Sequence, residues 1–374
     1  MSVRDRAWIE VDLGAITGNF TAIQRLVGAH TTVMAIVKAD AYGHGAVPVA
    51  SALEKAGAGW FGVATVDEAL ELRRAGIRGI ILVMGYCSPT RAHEIVENSI
   101  IATIMTAEDA HAFSKAIGKA ALPVHLKVDS GMCRMGVRHD AIADLCEQVK
   151  DLSNLRFEGI FSHFAAPTRD RDFSLLQIAN FDRAVATAEQ IIGPFKWHHM
   201  SSSCAMAAYE PKSCNMVRPG ELLYGMDDAL QASYGLSLKP AMALKARLVL
   251  IKPLLPGDTV GYSRTYHAEK SQDLGLVAIG YGDGYPRQLS TTGEVLIRGQ
   301  RRRIIGRISM DTLAVGLGDD HGCHPGDEVV LIGSQGAERI TPEELASKAN
   351  TGAHAIVTGL GKRLHRIYRE QTVS

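Results

Sequence analysis

A lysine near the N-terminus follows a short apolar run, and its surroundings favour carbonyl chemistry. Lys38 comes directly after residues 33–37 and before a loop, 39–45, that contains two glycines. The pattern predicts an amine at the exit of a buried strand. Burial favours the uncharged amine, so it lowers the pKa of a lysine and equips it to form a Schiff base with a carbonyl compound. By itself, a lysine at a strand end is more often a solvated surface residue.

A second group of polar residues lies in the middle of the chain. His125, Lys127 and Asp129 share one face of a predicted strand, because side chains alternate along a strand, and the residues between them are apolar. The strands of a parallel barrel, the fold predicted below, are usually apolar on both faces. Charged side chains on this face therefore need an ionic partner or a function. One interpretation is a structural Lys127–Asp129 ion pair at the barrel rim. The other is that these charged side chains serve a function.

The elements that position these residues alternate between strands and helices. Between about residues 12 and 238, short apolar runs alternate with amphipathic segments, which is the pattern of βα units around a parallel sheet. The predicted strands are 33–38, 60–64, 79–84, 100–105, 123–129, 155–162, 197–202 and 215–219. Eight such strands close a (β/α)8 TIM-like barrel, and an open doubly wound sheet is the alternative.

In a parallel barrel the active site lies at the carboxyl ends of the strands. Polar residues follow five of the eight predicted strands, namely Lys38, residues 127–134, His163, residues 201–203 and Arg218. We therefore expect these residues to surround one site at the mouth of the barrel.

After Pro240 the pattern changes to short alternating runs separated by turns. Runs at 243–251, 275–280, 294–298, 303–308 and 328–332 predict a β-rich second domain. One helix is predicted to start at Thr341, which precedes a proline and two glutamates. The strand-like run 7–11 has no helix before it and is a candidate to pair with this second domain.

The composition argues against several classes of protein. Of the 374 residues, 46% are hydrophobic and 21% are charged, which is ordinary for a globular protein of one or two domains. Forty basic and forty acidic residues cancel, so there is no general electrostatic case for a nucleic acid or an anionic membrane as partner. The N-terminal residues lack the apolar core of a signal peptide, and the six cysteines show no paired spacing. These features predict a cytoplasmic protein with reduced thiols.

Two motifs resemble those of one enzyme family. Residues 37–45 (VKADAYGHG) and 127–136 (KVDSGMCRMG) are similar to motifs of the alanine racemases, and the resemblance covers nearly the whole chain. It implies a (β/α)8 barrel over residues 1–238 that binds pyridoxal 5'-phosphate, followed by a mainly-β domain over residues 239–374. It also implies a homodimer in which the second domain contributes to the partner's active site.

The resemblance assigns a role to each residue of the predicted site. The residues that would bind the cofactor are Lys38, Tyr42, Arg134, His163, Ser203, Arg218, Gly220 and Glu221. Arg134 would donate to the cofactor's phenolic oxygen and help to place the substrate carboxylate. Lys127 corresponds to a lysine that is carbamylated in many members, which would turn a buried cation beside Arg134 into an anion.

Arg218 narrows the chemistry that the resemblance implies. An arginine that faces the ring nitrogen of the cofactor cannot donate a proton at neutral pH, because its pKa exceeds about 12. The ring then withdraws electrons weakly, which suits removal and prompt return of an α-proton better than decarboxylation or transamination. His163 would link Arg218 to a catalytic tyrosine.

Racemisation needs an acid–base group on each face of a planar carbanion. By the resemblance, Lys38 handles the D-side proton and Tyr262 of the partner subunit handles the L-side proton. Tyr281 would narrow the substrate path of that neighbouring subunit, and the backbone N–H of Met310 would contact the substrate carboxylate. Taken alone, Tyr262 is more typical of a strand aromatic.

The sequence departs from the family pattern near the predicted phosphate site. Ser202 replaces a frequent asparagine, and Glu221 replaces a usually apolar residue. If Glu221 contacts phosphate through its backbone N–H, its side chain matters little. A tyrosine that some members contribute from the C-terminal tail is not evident, and Lys362 is nearest to its place.

The implied activity is the interconversion of L-alanine and D-alanine, for peptidoglycan synthesis or for alanine catabolism. The alternatives are a racemase for other or more amino acids, a barrel-type decarboxylase and a non-enzymatic carrier of the cofactor. Arg218 disfavours the decarboxylase, and the domain that carries Tyr262 disfavours the carrier. His321, Cys323 and His324 fit no structural zinc spacing, so no metal site is predicted.

Overall fold

Parallel strands and helices alternate over the first two thirds of the chain. The structure is a computed structural model that describes residues 6–206, 208–209 and 214–370. The elements up to residue 233 are β1 (Ala7–Asp12), α1 (Leu13–Val27), β2 (Thr32–Ile36), α2 (Lys38–Gly43), α3 (Ala46–Lys55), β3 (Trp60–Val63), α4 (Val66–Arg74), β4 (Ile80–Val83), α5 (Ala92–Glu97), β5 (Ile100–Ile104), α6 (Ala107–Ile117), β6 (Leu122–Asp129), β7 (Val137–Arg138), α7 (Ile142–Val149), β8 (Leu155–Phe161), α8 (Arg171–Ile192), β9 (Trp197–Ser202), β10 (Met216–Arg218) and α9 (Asp228–Ser233).

These strands close into a barrel. Their order around it is β2, β3, β4, β5, β6, β8, β9 and β10, each parallel to the next, and β10 pairs with β2 to complete the ring. Every barrel strand predicted from the sequence is present, so the barrel is confirmed and the open doubly wound sheet is excluded. The outermost residues of the two expected domains, 1–5 and 371–374, lie outside the described residues.

The barrel strands are buried on both faces. A separate apolar cluster fills part of the barrel interior and consists of Met34, Ile36, Trp60, Leu82, Ile101 and Met216. His125 lies beside this cluster, with its ring centroid 5.9 Å from that of Trp60. The alternate residues of β6, such as Val124 and Leu126, belong to the larger core. His125 and Lys127 therefore share the inner face of β6, as the alternation predicts.

The rest of the described chain is mainly antiparallel sheet, which confirms the predicted β-rich C-terminal domain. Its elements are β11 (Met242–Leu254), β12 (Thr259–Val260), β13 (Tyr266–His267), β14 (Gln272–Val277), β15 (Glu294–Ile297), β16 (Gln300–Arg303), β17 (Leu313–Gly318), β18 (Glu328–Gln335), β19 (Glu338–Ile340), α10 (Pro342–Ala349), α11 (Ala353–Thr358) and β20 (His365–Arg369). The long strand β11 pairs antiparallel with β1, β14 and β18. Strand β1 also pairs in parallel with β20, so the first and last described strands lie side by side in this sheet.

One strand prediction in this domain is wrong. Residues 303–308 do not form a strand, because β16 ends at Arg303 and Ile304 makes only an isolated bridge to Val315. The chain turns at Gly306, where φ is +71° and a Cβ would lie 2.5 Å from the carbonyl oxygen of Val260. Strand β17 was not predicted, because two of its six residues are glycines, which weaken a strand pattern.

Helix starts follow the capping signals of the sequence. The hydroxyl of Thr65 accepts from the backbone N–H of Glu68 at 3.2 Å, and the Glu68 carboxylate accepts from the N–H of Thr65 at 3.3 Å. Thr341 caps α10 in the same way, accepting from the N–H of Glu344 at 3.1 Å. In the part of the chain that the structure describes, no helix is both long and apolar enough to cross a bilayer.

Candidate active site

A cavity of about 470 Å³ opens at the carboxyl ends of the barrel strands. The residues predicted for the site that line this cavity are Lys38, Tyr42, Lys127, Arg134, His163, Ser203, Arg218, Gly220 and Glu221. Apolar side chains, among them Ile36, Met84 and Phe161, line much of the remainder. The barrel therefore gathers residues from distant parts of the chain around one pocket.

Lys38 follows β2 and begins the segment labelled α2, which is a single turn of left-handed backbone. All four residues from 39 to 42 have φ between 51° and 53°. Left-handed backbone costs about 1–2 kcal/mol for each residue with a Cβ, so surrounding groups must hold it in place. Glu68 of α4 does so, since one carboxylate oxygen accepts from the N–H of Ala39 at 2.7 Å and the other from the N–H of Ala64 at 2.7 Å.

His44 holds the other end of this turn. Its Nδ1 donates to the carbonyl oxygens of Ala41 at 2.9 Å and Tyr42 at 3.0 Å, so the ring proton is on Nδ1. Burial lowers the pKa of His44 to about 4, which leaves the ring neutral. The ring stacks on Tyr224 at 4.4 Å, and the Tyr224 hydroxyl donates to the carbonyl of Ile36 at 2.8 Å. Strand β2 and the turn after it are thereby fixed together.

The Lys38 amine is predisposed to lose its proton. Burial lowers its pKa below the ordinary value, and the cations of Arg134 and Arg218 lower it further, whereas Glu68 and Glu221 act in the opposite direction. A larger fraction of uncharged amine makes a lysine a better nucleophile and a better proton acceptor.

Arg218 is buried at the cavity and is held by four acceptors. Its Nη1 lies 2.8 Å from Nδ1 of His199, and its Nη2 donates to the carbonyl oxygens of Ser162 at 2.7 Å and Met200 at 2.9 Å. Nη2 also lies 3.3 Å from Nδ1 of His163. A guanidinium only donates, so both histidines accept at Nδ1 and carry their proton on Nε2. Burial lowers the pKa of Arg218 to about 10, which still leaves it charged at neutral pH.

The hydrogen-bond chain continues from His199 into the barrel. Its Nε2 lies 2.9 Å from Nδ1 of His125, so His125 accepts there and carries its proton on Nε2. The Nε2 of His125 is buried and has no partner among the described residues. Burial, followed by the charge of Arg218, lowers the pKa of His125 to about 3, and the same two causes lower the pKa of His199. Arg218 is therefore the single cation of this three-residue chain.

Lys127 is 6% exposed, and its amine lies 4.5 Å from the ring centroid of Phe161. Burial lowers the pKa of Lys127 well below its ordinary value, and Arg218 and Arg134 lower it further, while Asp129 opposes them. These causes favour the uncharged amine inside the barrel. The Lys127–Asp129 ion pair considered above is not among the ion pairs of the described residues.

The loop that carries Arg134 is shaped by Asp129 instead. One oxygen of this carboxylate accepts from the N–H groups of Gly131 at 2.9 Å and Cys133 at 3.0 Å. The loop returns onto β6 at Gly136, where φ is +103° and a Cβ would lie 2.6 Å from the carbonyl oxygen of Lys127. Glycine is required there, and it brings the loop of Arg134 against Lys127.

Hydroxyl groups and a glycine backbone meet at one end of the cavity. The Ser203 hydroxyl accepts from the N–H of Gly220 at 3.0 Å and lies 3.4 Å from the N–H of Leu222. A Cβ on Gly220 would overlap the hydroxyl of Tyr42. A phosphate group is held by hydroxyls and by backbone N–H groups in places where there is no room for a side chain. This end of the cavity therefore fits the predicted phosphate site.

Comparison with known proteins identifies the family. The model of the alanine racemase N-terminal domain matches residues 11–228, and that of the alanine racemase C-terminal domain matches residues 241–368. The chain belongs to the alanine racemase family. A relative from Desulfovibrio desulfuricans, named alanine racemase, is 39% identical over 97% of this chain and 98% of its own length.

Solved structures agree with this membership. The alanine racemase from Bacillus anthracis, determined with bound L-Ala-P, superposes with a TM-score of 0.92 at 33% identity and covers 98% of this chain and 96% of that one. The histidine racemase from Leuconostoc mesenteroides subsp. sake superposes with a TM-score of 0.87 at 30% identity and covers 98% of both chains. The same fold therefore occurs in racemases named for different amino acids.

Three residues expected at an alanine racemase site lie elsewhere on this subunit. Tyr262, Met310 and Tyr281 are 66%, 52% and 39% exposed on the C-terminal domain and do not line the cavity of Lys38. Tyr281 donates its N–H to the carbonyl of Ser309 at 3.0 Å, and Gly282 donates to the carbonyl of Met310 at 2.8 Å. Tyr281 and Met310 therefore share one stretch of surface.

Sequence reasoning missed three contributors to the site. The contact of Glu68 with the N–H of Ala39 has no local signal in the sequence. His199 shares a strand face with Ser201, so alternation along β9 predicts its inward direction. His354 of α11 reaches Glu221 at the cavity with 2.9 Å between Nδ1 and Oε1, whereas Lys362 is exposed and does not line the cavity.

Proposed function

We propose that the protein interconverts L-alanine and D-alanine by a two-base mechanism that uses pyridoxal 5'-phosphate. The observation that carries the proposal is the cavity that joins Lys38, a lysine of lowered pKa, to Arg218, a buried arginine with no carboxylate partner among the described residues. Lysine supplies an amine for the cofactor aldehyde, and arginine leaves the ring nitrogen unprotonated. This combination suits proton exchange at an α-carbon.

The residues around the cavity fit the cofactor. Lys38 would bind its aldehyde, Arg134 its phenolic oxygen and Arg218 its ring nitrogen, and the phosphate would be held by Tyr42, Ser203 and the backbone N–H groups of Gly220 and Glu221. When bound, the cofactor supplies an electron-withdrawing ring that acidifies the α-proton of an attached amino acid.

Lys38 would remove or return the proton on the D-side of the α-carbon. Its lowered pKa increases the fraction of uncharged amine that can accept a proton. Glu68 and His44 hold the turn that carries Lys38 and Tyr42. The Lys38 amine and the Tyr42 hydroxyl, which would contact the phosphate, therefore keep a fixed spacing.

Tyr262 of the partner subunit would serve the L-side, in a homodimer whose C-terminal domain completes the neighbouring cavity. The exposure of Tyr262, Met310 and Tyr281 supports this, because a second subunit can reach all three side chains. His163 accepts from Arg218 at Nδ1, so its Nε2–H is free to donate to a tyrosine oxygen and to stabilise the phenolate. The Met310 N–H and Arg134 would hold the substrate carboxylate, and Tyr281 would narrow the path to it.

The division of labour between domains follows from this scheme. We place the boundary at residues 238 and 239, with the cofactor in the barrel and the second base on the C-terminal domain. The product would supply D-alanine for peptidoglycan, or the reaction would serve alanine catabolism, in the cytoplasm. All six cysteines lie among the described residues and none forms a disulfide, which suits a reducing compartment.

A racemase for a different amino acid is the second candidate. It is favoured by the structural similarity to the histidine racemase from Leuconostoc mesenteroides. Comparing kcat/KM for the L-forms of alanine, serine, lysine, arginine and histidine separates the two, and we expect alanine to be turned over fastest.

The proposal is tested by racemisation assays on wild type, Lys38→Ala and Tyr262→Phe. Lys38→Ala should be colourless and nearly inactive, while Tyr262→Phe should keep the cofactor colour and lose turnover of L-alanine. Tyr266→Phe, in the same segment, is the matched control and should remain active, because among the described residues its hydroxyl accepts a hydrogen bond only from Gln272, at 2.7 Å. An active Lys38→Ala variant contradicts the proposal.

A further inference from the structure

The phosphate end of the cavity, formed by Tyr42, Ser203 and Gly220, also contains a carboxylate. This carboxylate is paired with a histidine of the C-terminal domain. Glu221 lines the cavity with its side chain 27% exposed, and its Oε1 lies 2.9 Å from Nδ1 of His354, which is 58% exposed. We propose that His354 compensates the charge of Glu221 and thereby sets the affinity of the cavity for the cofactor phosphate. This inference rests on the proposed function, and it gives the Glu221 side chain a role that the sequence alone did not suggest.

Glu221 without compensation would oppose the binding of an anion. A phosphate monoester carries about 1.5 to 2 negative charges at neutral pH. Burial raises the pKa of Glu221, His354 lowers it, and the carboxylates of Asp227 and Glu343 raise it, so two further anions already act on this side chain. The titratable groups that face Glu221 are His354, Asp227, Glu343, Lys38, Tyr42 and Cys204. Of these, His354 alone makes a direct ion pair with Glu221 among the described residues.

The position of His354 is tied to the turn that carries Lys38. Helix α11 packs its Val357 carbonyl so closely on Gly43 that a Cβ there would overlap it. Arg366, from β20, donates to the carbonyl of Gly43 at 2.8 Å and lies 3.7 Å from a carboxylate oxygen of Asp40. The C-terminal segment that contains α11 and β20 thus contacts the phosphate end of the cavity at two places. One is the turn after β2, and the other is Glu221.

The proposal predicts opposite effects for the two partners. His354→Asn leaves the Glu221 carboxylate uncompensated beside the phosphate, and we expect the Kd for pyridoxal 5'-phosphate to rise about ten-fold. Glu221→Gln removes the repelling charge and keeps the backbone N–H, so the Kd should fall several-fold. The double variant should match Glu221→Gln, because without the carboxylate His354 has nothing to compensate.

The experiment is a cofactor titration of the full-length protein after removal of bound cofactor, with binding measured by absorbance. Pyridoxal, which lacks the phosphate, is the matched probe. His354→Asn should weaken pyridoxal 5'-phosphate and leave pyridoxal unchanged. Glu189→Gln is the control variant, since Glu189 pairs with His198 at 3.0 Å outside the cavity, and its Kd should stay within about two-fold of wild type.

Three outcomes overturn the inference: an unchanged Kd in His354→Asn, equal weakening of both probes, or no recovery in the double variant. Equal weakening would show a structural role for His354 rather than a charge effect on phosphate. Failure of the proposed function gives a different result, because the wild type would then not bind pyridoxal 5'-phosphate at all.

Discussion

The Nη1 atom of Arg218 lies 2.8 Å from the Nδ1 atom of His199, and this contact fixes the proton positions of a buried chain. Because arginine only donates, the Nδ1 atom of His199 accepts. The Nε2–H group of His199 in turn donates to the Nδ1 atom of His125 at 2.9 Å. Both rings are neutral. The positive charge of Arg218 is therefore held at the cavity by imidazole and carbonyl acceptors. The family resemblance assigned a role to Arg218, but the contact with His199 emerges from the fold.

Removal of His199 should destabilise the protein strongly. His199→Ala leaves a buried guanidinium N–H without an acceptor, and a hydrogen bond to a charged group contributes about 1.5–3 kcal/mol. The neighbouring His198→Ala is the control, because its bond to the partly exposed Glu189 should contribute about 1 kcal/mol or less. Urea unfolding of both variants measures the difference in free energy, and equal losses would contradict the role of His199.

Acid should destabilise the folded protein through its buried histidines. Burial lowers the pKa of His44 to about 4 and, with Arg218, that of His125 to about 3, whereas unfolded histidines titrate near 6.5. Below about pH 6.5 the unfolded chain therefore binds more protons, so the free energy of unfolding falls as pH falls towards the folded values.

The slope for each such histidine is at most about 1.4 kcal/mol per pH unit. Urea unfolding at several pH values between 7 and 5 measures it, and His125→Phe should reduce the slope by up to that amount. A slope that is the same in wild type and His125→Phe would show that His125 is not held neutral.

If active sites are shared between subunits as proposed, two inactive variants should complement each other. A dimer of one Lys38→Ala subunit and one Tyr262→Phe subunit has one cavity with both an intact Lys38 and an intact partner Tyr262. Random exchange of equal amounts should therefore restore about a quarter of wild-type racemase activity. Each variant alone is the control, and a mixture as inactive as its components would contradict a shared site.

Lys127 should carry a carbamate. Only an uncharged amine reacts with CO₂, and burial, Arg218 and Arg134 all lower the pKa of Lys127. Protein equilibrated with ¹³C-bicarbonate should show a carbamate carbon signal by NMR that is missing from Lys127→Met. High-resolution density for a bare ammonium at Lys127 would end this hypothesis.

Most of the barrel could be predicted from the sequence, because each strand is a short apolar run followed by polar residues or a helix start. Thr341 caps the helix that its sequence signal predicts. Strand prediction failed at two places in the C-terminal domain, where glycines interrupt β17 and Gly306 turns the chain inside a run of strand-like residues.

The fine structure of the site depends on contacts between distant residues. The left-handed turn at 39–42 contains no glycine, so nothing local predicts it, and it exists because Glu68 and His44 hold it. The pair of Glu221 and His354 joins residues of two domains, and no periodicity connects them.

The central claim, that Lys38 binds the cofactor, is tested most directly by borohydride reduction of the holoenzyme followed by peptide mass analysis. Lys38 and Lys127 both line the cavity, so the site of labelling is informative. We predict a pyridoxyl group on the peptide that contains Lys38, and no labelled peptide from Lys38→Ala. A label on Lys127, or a purified protein with no yellow colour and no label, would contradict the claim.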